Sequence, residues 1–219
     1  MSQAPRFPAG LYGVTPDWCD KDRLEEAVRQ AAAGGMSALQ LRHKTASDSL
    51  RRALAERLLD VCQSLSIPLI INDDWQLAAD IGADGVHLGR DDADPHIVRA
   101  ALAPRVLLGV SCYGDIDRAR RLLQIGVDYV AFGAMFSSGT KPQAPPAPLG
   151  VLTQAQALTA EHSPRAAVVA IGGINPDNAA SVAAAGADSL AVVGALFLAK
   201  DIEQTARRFN AMMTTPRSA

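Results

Sequence analysis

The apolar residues of this chain fall into two recurring patterns. Eight short runs are almost continuously apolar, as parallel strands are when both faces of their sheet are buried. They are residues 11–14, 38–41, 68–72, 84–88, 106–111, 128–133, 167–173 and 189–194. Between two of these runs, residues 47–65 carry apolar side chains at the three-to-four spacing of one helix face, and Ser47 precedes them as a candidate N-cap.

A helix after each strand would give eight repeated strand–helix units. Such units average about 27 residues in a chain of 219, which suits a compact barrel. Three segments, "DIGADGVHLG", "QIGVDYVAFG" and "AAGADSLAVVG", repeat the order helix end, glycine, acidic residue, strand, glycine. We therefore predict an α/β protein with one domain over residues 1–219, a single (β/α)8 TIM barrel, in which 1–8 and 212–219 are flexible tails. A doubly wound open sheet is the alternative, but no GxGxxG follows the first strand.

Composition and charge favour a small molecule as the partner of this protein. The formal net charge of −2 gives no electrostatic footprint for nucleic acid or for an anionic membrane. No apolar run approaches the length of about 18 residues that a spanning helix needs, and the N-terminus has no apolar signal segment, so we expect a cytoplasmic location. The three cysteines show no CxxC spacing, which predicts neither a disulfide framework nor a zinc site. The choice between a monomer and a homo-oligomer stays open.

Polar residues gather at the ends of the predicted strands, which in a barrel of this kind all open at one mouth. Gln40, Arg42 and Lys44 alternate after the second strand, so their side chains face one side and offer an amide and two cations to an anion. The alternative is that both cations are ordinary solvated charges. The loop after the sixth strand, residues 137–141, adds three hydroxyls and Lys141, a combination that can cradle phosphate oxygens.

Two aspartates follow the third and fourth predicted strands. Asp73 and Asp92 would lie at adjacent strand ends, where a pair of carboxylates can hold Mg2+ together with water and phosphate oxygens. The alternative is that one or both cap the helix that follows, for which Asp73 is well placed. His87 also lies at a strand end, but a packed structural histidine is the simpler interpretation. No general base is evident from the sequence.

A second phosphate site is indicated after strands seven and eight. Gly172 and Gly173 precede a helix with Asn175 at its cap, and residues 192–197 begin on the eighth predicted strand. Barrels often bind phosphate there, because glycines let backbone N–H groups approach and a short helix adds its dipole. Tight turns are the alternative use of these glycines. A metal-assisted diphosphate site beside a monophosphate site favours group transfer with diphosphate as the leaving group.

Several motifs occur in an order that resembles the thiamine-phosphate synthase family, from residue 11 to residue 197. They are "LQLRHK", "IINDDWQLAADIGADGVHLGRDD", "LLGVSCY", "YVAFGAMFSSGTK" and "VAIGGI". The resemblance implies a transferase of thiamine biosynthesis that joins 4-amino-5-hydroxymethyl-2-methylpyrimidine diphosphate to 4-methyl-5-(2-phosphoethyl)thiazole, or to its carboxylated form. The products are thiamine monophosphate and diphosphate. In the implied mechanism diphosphate leaves first, and the thiazole nitrogen then attacks the resulting cation without needing a base.

The resemblance also implies roles for individual residues. The catalytic groups would be Arg42, Lys44, Ser111 and Lys141. The pyrimidine diphosphate would be held by residues after several strands, namely Gln40, Leu41, Arg42, His43, Lys44, Asn72, Ser111 and Lys141. The thiazole phosphate would be held by the later loops, namely Ser138, Gly139, Thr140, Gly173, Val193 and Gly194. The Mg2+ ligands would be Asp73 and Asp92.

Two positions depart from the common pattern of that family. His43 stands where an acidic residue is frequent, and Gly194 stands where serine is common, so one hydroxyl contact with the thiazole phosphate is missing. Two other functions remain open at this point. A thiazole tautomerase would handle the thiazole phosphate alone and would not need the diphosphate residues. A non-catalytic barrel would only bind a phosphate ligand.

Overall fold

A computed structural model of the chain describes residues 4–137, 147–162 and 164–213. Within them, eight parallel strands close into a barrel in chain order, with the last strand paired back to the first. The strands are Gly10–Val14 (β1), Met36–Leu41 (β2), Leu69–Asn72 (β3), Gly85–Leu88 (β4), Leu107–Tyr113 (β5), Tyr129–Phe132 (β6), Ala167–Ile171 (β7) and Ser189–Val192 (β8). The prediction of a (β/α)8 barrel is confirmed, and the open doubly wound sheet is excluded.

Helices alternate with the strands and cover the outside of the barrel. They are Lys21–Ala33 (α1), Asp48–Leu65 (α2), Trp75–Ile81 (α3), Pro95–Ala101 (α4), Ile116–Leu123 (α5), Gly150–Ala160 (α6), Ala179–Ala184 (α7), Gly194–Phe197 (α8) and Ile202–Met213 (α9). The short α8 begins directly after β8, and α9 packs against α1. None of the helices in the described part of the chain is both long and apolar enough to cross a bilayer.

Two layers of apolar side chains form the core, because alternate residues of each strand point to opposite faces. Leu11 packs in the layer between the strands and the helices, whereas its neighbour Tyr12 packs inside the barrel. Tyr129 of β6 joins Tyr12 in this inner layer. Gly109 makes room for it, since a Cβ at that position would lie 1.8 Å from Tyr129 Cζ. The barrel interior is therefore a packed core that contains two tyrosines.

The repeated glycine–aspartate signature of the sequence has a structural cause. Asp84, Asp128 and Asp188 each precede an even-numbered strand and accept a hydrogen bond from a backbone N–H near the start of the strand before it. The donor nitrogens lie 2.9, 2.8 and 2.8 Å away and belong to Leu69, Leu108 and Val168. Each aspartate thus joins two neighbouring strands at the N-terminal end of the barrel.

The segment before β1 corrects one expectation from the sequence. Residues 1–8 were expected to form a flexible tail, yet Phe7 is only 1% exposed and its ring centroid lies 4.9 Å from that of Tyr12 and 4.2 Å from that of Tyr129. Arg6 Nη1 also donates to Asp128 Oδ1 at 2.9 Å. The prediction is wrong for Arg6 and Phe7, because Phe7 packs into the N-terminal end of the barrel, and residues 1–3 lie outside the described part. At the other terminus α9 extends to Met213, and residues 214–219 lie outside the described part.

Candidate active site

The residues at the end of β2 reach the mouth of the barrel, where the C-terminal ends of the strands meet. Gln40 and Leu41 are the last two residues of β2, and both are buried. Leu41 packs in the layer between strands and helices, so its backbone is the part that can face the mouth. Thr15, just after β1, fixes the next residue, because its Oγ1 accepts from Arg42 N–H at 2.9 Å and donates to the Arg42 carbonyl at 3.1 Å.

The two predicted cations lie next to acidic groups at this mouth. Lys44 Nζ is 3.6 Å from Asp73 Oδ2, and Arg42 Nη1 is 3.9 Å from Asp17 Oδ1. The Lys44 side chain is 53% exposed, so both its ammonium and its acidic neighbour remain accessible to a ligand. The structure therefore brings a cation of the "RHK" segment and the first aspartate of the "INDD" segment together, as the sequence predicted.

The His43 side chain is buried beside the loop that precedes α1. Its side chain is 3% exposed, with Nε2 3.5 Å from Cys19 Sγ and Nδ1 3.9 Å from Asp17 Oδ1. Among the described residues, Nδ1 has no hydrogen-bond partner. The imidazole thus packs against the loop between β1 and α1, and a role of His43 in binding the pyrimidine diphosphate would fall to its backbone. The approach of Cys19 was not predicted.

Asp73 and Asp92 form an acidic pair at the ends of β3 and β4. Burial and the adjacent carboxyl of Asp92 raise the pKa of Asp73 to about 6, and the ammonium of Lys44 opposes that rise only in part. Asp73 N–H donates to the His87 carbonyl at 2.8 Å, and Asp92 Oδ2 accepts from Gly89 N–H at 2.6 Å. Asp73 also has a φ of 63°, a left-handed conformation that costs a non-glycine residue about 1 kcal/mol or more.

Other aspartates nearby, and not Asp73 and Asp92, cap the helices that follow β3 and β4. Asp74 caps α3 and accepts from Leu77 N–H at 2.9 Å, and Asp94 caps α4 and accepts from His96 N–H at 2.9 Å. The carboxylates of Asp73 and Asp92 are therefore free of the capping role at the two helices that follow them.

The acidic pair suits a hard divalent cation. No group of three or more His, Cys, Asp or Glu side chains among the described residues has the arrangement of a metal site. Two carboxylates suffice for Mg2+, which takes its other ligands from water and substrate phosphate. Burial first, and then the neighbouring carboxyl of Asp92, raise the pKa of Asp73 against the opposing effect of Lys44, and a divalent cation between the two carboxylates would favour their charged forms.

A network of hydrogen bonds crosses the barrel interior below the mouth and joins two of the predicted site residues. Gln40 Nε2 donates to Tyr12 Oη at 2.7 Å, and Tyr12 Oη lies 2.9 Å from Tyr129 Oη. Tyr129 Oη lies 3.0 Å from His87 Nδ1, and His87 Nε2 lies 2.9 Å from Ser111 Oγ. We call these five side chains the interior network.

Burial determines the charge of the histidine in this network. It lowers the pKa of His87 to about 4, with only a partial opposing effect of Asp92, so the imidazole is neutral at pH 7. This agrees with the structural interpretation of His87 from the sequence. The sequence analysis missed Tyr12 and Tyr129. The available signal was a tyrosine inside each of two apolar strands, because a buried phenol hydroxyl needs a hydrogen-bond partner.

Asn72 and Ser111 complete the described part of the predicted pyrimidine site. Asn72 is the last residue of β3 and lies in register with His87 of β4. Ser111 lies where the pairing of β5 with β6 shifts register, a kind of irregularity that re-aims side chains near active sites. Arg118 Nε donates to the Ser111 carbonyl at 2.9 Å and holds this part of β5 in place.

The loop after β7 passes close to the loop after β6. Gly172 and Gly173 have φ values of 98° and 66°, and a Cβ on Gly173 would lie 2.7 Å from the carbonyl oxygens of Phe136 and Ser137. Phe136 N–H donates to the Gly172 carbonyl at 3.0 Å. Both glycines are therefore required by the tight turns of this loop.

The remaining predicted residues fall into two groups. Val193 and Gly194 lie at the beginning of α8, next to the mouth. A Cβ on Gly194 would meet its nearest neighbour, Leu198 Cδ1, at 3.5 Å, which is an ordinary contact. The other group, Ser138, Gly139, Thr140 and Lys141, lies outside the described residues. Ala147, just after that stretch, donates from its N–H to the Ala134 carbonyl at 2.8 Å.

Comparison with known proteins gives one consistent result. The family model described as thiamine monophosphate synthase matches residues 11–196. Thiamine-phosphate synthase of Bordetella bronchiseptica is 60% identical over 203 residues, which cover 92% of this chain and 94% of that protein. Its counterpart in Methylobacillus flagellatus is 49% identical over 201 residues, 92% of this chain and 93% of that protein.

Solved structures with the same fold include one of the same kind of enzyme. Thiamine phosphate pyrophosphorylase from Pyrococcus furiosus superposes with a TM-score of 0.80 at 28% identity, over 94% of this chain and 95% of that one. A 3-hexulose-6-phosphate synthase superposes with a TM-score of 0.68 at 18% identity, over 93% of this chain and 99% of that one. The second likeness concerns the barrel fold alone.

Proposed function

The chain belongs to the thiamine monophosphate synthase family, whose members are transferases of thiamine biosynthesis, and from that premise we propose how its residues divide the reaction. The substrates are 4-amino-5-hydroxymethyl-2-methylpyrimidine diphosphate and 4-methyl-5-(2-phosphoethyl)thiazole, with or without a carboxyl group on the latter. The carbon–oxygen bond to diphosphate breaks, and a bond between the pyrimidine methylene carbon and the thiazole nitrogen forms. The products are thiamine monophosphate and diphosphate.

The pairing of opposite charges at the mouth is the observation that carries this proposal. A cation, Lys44, lies 3.6 Å from Asp73, which in turn lies against Asp92. A diphosphate binds cations directly and carboxylates through a metal, so this arrangement supplies a partner for every charge. Arg42 and Lys44, with Asn72 and Lys141, would hold the diphosphate.

Asp73 and Asp92 would hold Mg2+. When bound there, the ion would supply positive charge to the phosphate oxygens as the diphosphate leaves. Lys44, a half-exposed side chain, can turn from Asp73 toward those oxygens without leaving a buried charge unpaired. Because the positive charges of the ion and of the lysine would be in place before the carbon–oxygen bond breaks, little reorganisation would be needed in the transition state.

The chemistry needs no proton transfer from the protein. His87 is neutral at pH 7 and holds both ring nitrogens in hydrogen bonds, so it does not act as a general acid. The thiazole nitrogen attacks through a lone pair that carries no proton. The residues of the mouth therefore serve to bind the two substrates in line and to stabilise the departing diphosphate.

The thiazole phosphate would bind on the other side of the mouth. The backbone at Gly173, Val193 and Gly194 offers N–H groups there, and residues 138–140 would add hydroxyls. Both substrates carry phosphate groups, which do not cross membranes unaided, so we place the enzyme in the cytoplasm with small molecules as its partners. No nucleic acid or membrane surface enters the proposed function.

A product assay tests the function. The purified protein is incubated with both substrates and Mg2+, and thiamine monophosphate and diphosphate are measured together. Equal amounts of the two products are expected. Isomerisation of a thiazole phosphate without condensation would instead indicate a tautomerase, and binding of both substrates without any turnover would indicate a non-catalytic barrel.

A further inference from the structure

The direction of each hydrogen bond in the interior network follows from the orientation of the Gln40 amide, whose Nε2 faces Tyr12 Oη, and from the number of protons available. Gln40 Nε2 donates to Tyr12 Oη, so the single hydroxyl proton of Tyr12 is left for Tyr129. The opposite direction would make Tyr12 accept twice and would leave its own proton without a partner among the described residues. Tyr12 is buried, and an unpaired buried donor is costly.

The same reasoning continues to the other end of the network. Tyr129 accepts from Tyr12 and therefore donates its own proton to His87 Nδ1. A neutral imidazole that accepts at Nδ1 carries its proton on Nε2, so His87 donates to Ser111 Oγ. The hydroxyl proton of Ser111 is then left over, as is Oε1 of Gln40. Neither makes a hydrogen bond to another side chain in the described part of the protein.

We propose that Tyr12, Tyr129 and His87 are positioning residues that fix which polar group each end of the network presents to the substrate. Gln40 presents a carbonyl oxygen, which accepts, and Ser111 presents a hydroxyl proton, which donates. The ends are coupled, because Gln40 can turn its amide around only if every proton between it and Ser111 reverses. The ligand therefore needs a donor beside Gln40 and an acceptor beside Ser111.

The identity of that ligand rests on the proposed function. The aminopyrimidine diphosphate offers an exocyclic amine as a donor, and ring nitrogens and phosphate oxygens as acceptors. A pyrimidine with an oxo group in place of the amine would offer Gln40 an acceptor instead, and two facing acceptors repel. Tyr12, Tyr129 and His87 would thus help to select the amino form of the pyrimidine through Gln40 and Ser111, without touching it themselves.

The packing around the network keeps this polarity fixed. Phe7 closes the side away from the mouth, with its ring against both tyrosines, and the rings of His87 and Tyr129 stack at 5.6 Å. Gly109 leaves Tyr129 the space that any larger residue would take. Because Tyr12 and Tyr129 are fully enclosed, water cannot replace a missing partner when a proton reverses.

Nitrogen NMR of the histidine side chains tests the direction of the network without any substrate. The chain has four histidines, and the signals of His87 are assigned by their loss in His87→Gln. We expect the chemical shift of Nδ1 to be that of an unprotonated nitrogen that accepts a hydrogen bond, and the chemical shift of Nε2 to be that of a protonated nitrogen. A protonated Nδ1, alone or together with Nε2, would overturn the proposal whether or not the enzyme makes thiamine monophosphate.

Tyr129→Phe tests the consequence for the substrate. The variant keeps the ring but removes the hydroxyl that gives His87 Nδ1 its donor, so the tautomer is no longer fixed. We expect the KM for the pyrimidine diphosphate to rise about tenfold, with the KM for the thiazole phosphate within twofold of wild type. We also expect the preference for the amino over the oxo pyrimidine to fall.

Thr159→Val is the matched control, because it removes a buried hydroxyl in α6 that donates to the Gln156 carbonyl far from the mouth. It should lower stability to a similar extent and leave both KM values unchanged. Equal effects of Tyr129→Phe on the two KM values, or none, would overturn the positioning role in an enzyme that still turns over. A wild-type protein without turnover would count against the proposed function alone.

Discussion

Carboxylates at the two ends of the barrel have different surroundings. At the N-terminal end, Asp188 accepts from Val168 N–H and from both terminal nitrogens of Arg165, and Asp128 accepts from Leu108 N–H. At the mouth, Asp73 lies against a second carboxylate, with a half-exposed lysine as its neighbouring cation.

The difference separates stability from function. Asp128 and Asp188 at the N-terminal end join neighbouring strands and are paired with arginines, so their charges have partners within the protein. The pair at the mouth has only Lys44 as a partial counter-charge, and in the proposed function a cation bound between its members completes the balance. In a barrel, ligand chemistry belongs to the C-terminal ends of the strands, and the opposite end maintains the fold.

Neutralising one carboxylate at the mouth should abolish most activity without harming stability. Asp92→Asn retains an oxygen that can accept from Gly89 N–H. We expect kcat/KM for the pyrimidine diphosphate to fall by about 100- to 1,000-fold, the usual cost of losing one group that stabilises developing charge. The thermal unfolding midpoint should stay or rise, since the repulsion within the pair is gone.

Steady-state kinetics and thermal unfolding of the same preparation measure both effects. Asp80→Asn on the exposed side of α3 is the matched control and should change neither. Full activity with a lower midpoint in Asp92→Asn would show that the mouth resembles the N-terminal end after all.

The N-terminal end should respond in the opposite way. Asp128→Ala removes the acceptor of Leu108 N–H and the partner of Arg6 and Arg99, so we expect a loss of about 3 kcal/mol in the free energy of unfolding. The kinetic constants of the folded enzyme should stay within twofold. Urea unfolding and assays at low temperature check this, and Asp117→Ala, an exposed acid of α5, should cost far less. A selective loss of activity in Asp128→Ala would contradict the comparison.

Two glycines with positive φ extend the comparison to the backbone. Gly126 at the N-terminal end has open space around it, so Gly126→Ala should cost about 1 kcal/mol of stability from strain alone. Gly173→Ala at the mouth adds a clash with two carbonyl oxygens, and we expect the KM for the thiazole phosphate to rise about tenfold as the loops move. Steady-state kinetics and urea unfolding of both variants measure these effects. Similar KM values for the thiazole phosphate in Gly126→Ala and Gly173→Ala would mean that the Gly173 turn does not shape the phosphate site.

The smallest effect is expected where the chain departs from its family. Gly194→Ser would restore a hydroxyl at the beginning of α8, and the space around Gly194 accepts a Cβ. We expect the KM for the thiazole phosphate to fall about threefold, as one added hydrogen bond allows, with an unchanged kcat. An unchanged KM would show that the added hydroxyl contributes nothing to phosphate binding beyond the backbone N–H.

The fold was predictable because its determinants are local. Eight apolar runs and the glycine–aspartate repeat are visible in the sequence, and the structure places a strand at every run. Phe7 was missed because its burial depends on the closure of the barrel, whose N-terminal end it covers. No local sequence pattern reveals that contact. The site was predictable as a set of strand ends. Whether Asp73 caps the following helix depends on backbone angles and stayed open in the sequence, and the structure gives that cap to Asp74.

The interior network was the least predictable part of the site. Tyr12, Tyr129 and His87 come from three strands spread over more than half of the chain, and each is an ordinary core residue by itself. Their side chains form hydrogen bonds with one another only because the closed barrel brings their polar atoms together. Polar contacts between distant strands are set by tertiary packing, so hydrophobic periodicity carries no trace of them.

The dependence of turnover on Mg2+ tests the central claim most directly, namely that the acidic pair at the mouth is the metal and diphosphate site. Diphosphate release is followed from both substrates while Mg2+ is titrated into wild type, Asp73→Asn and Asp92→Asn after removal of divalent cations. The account predicts no release from wild type without Mg2+, a saturable rise as Mg2+ is added, and in each variant a much lower rate that needs more Mg2+. Release by wild type without a divalent cation, or the same Mg2+ dependence in all three proteins, would contradict it.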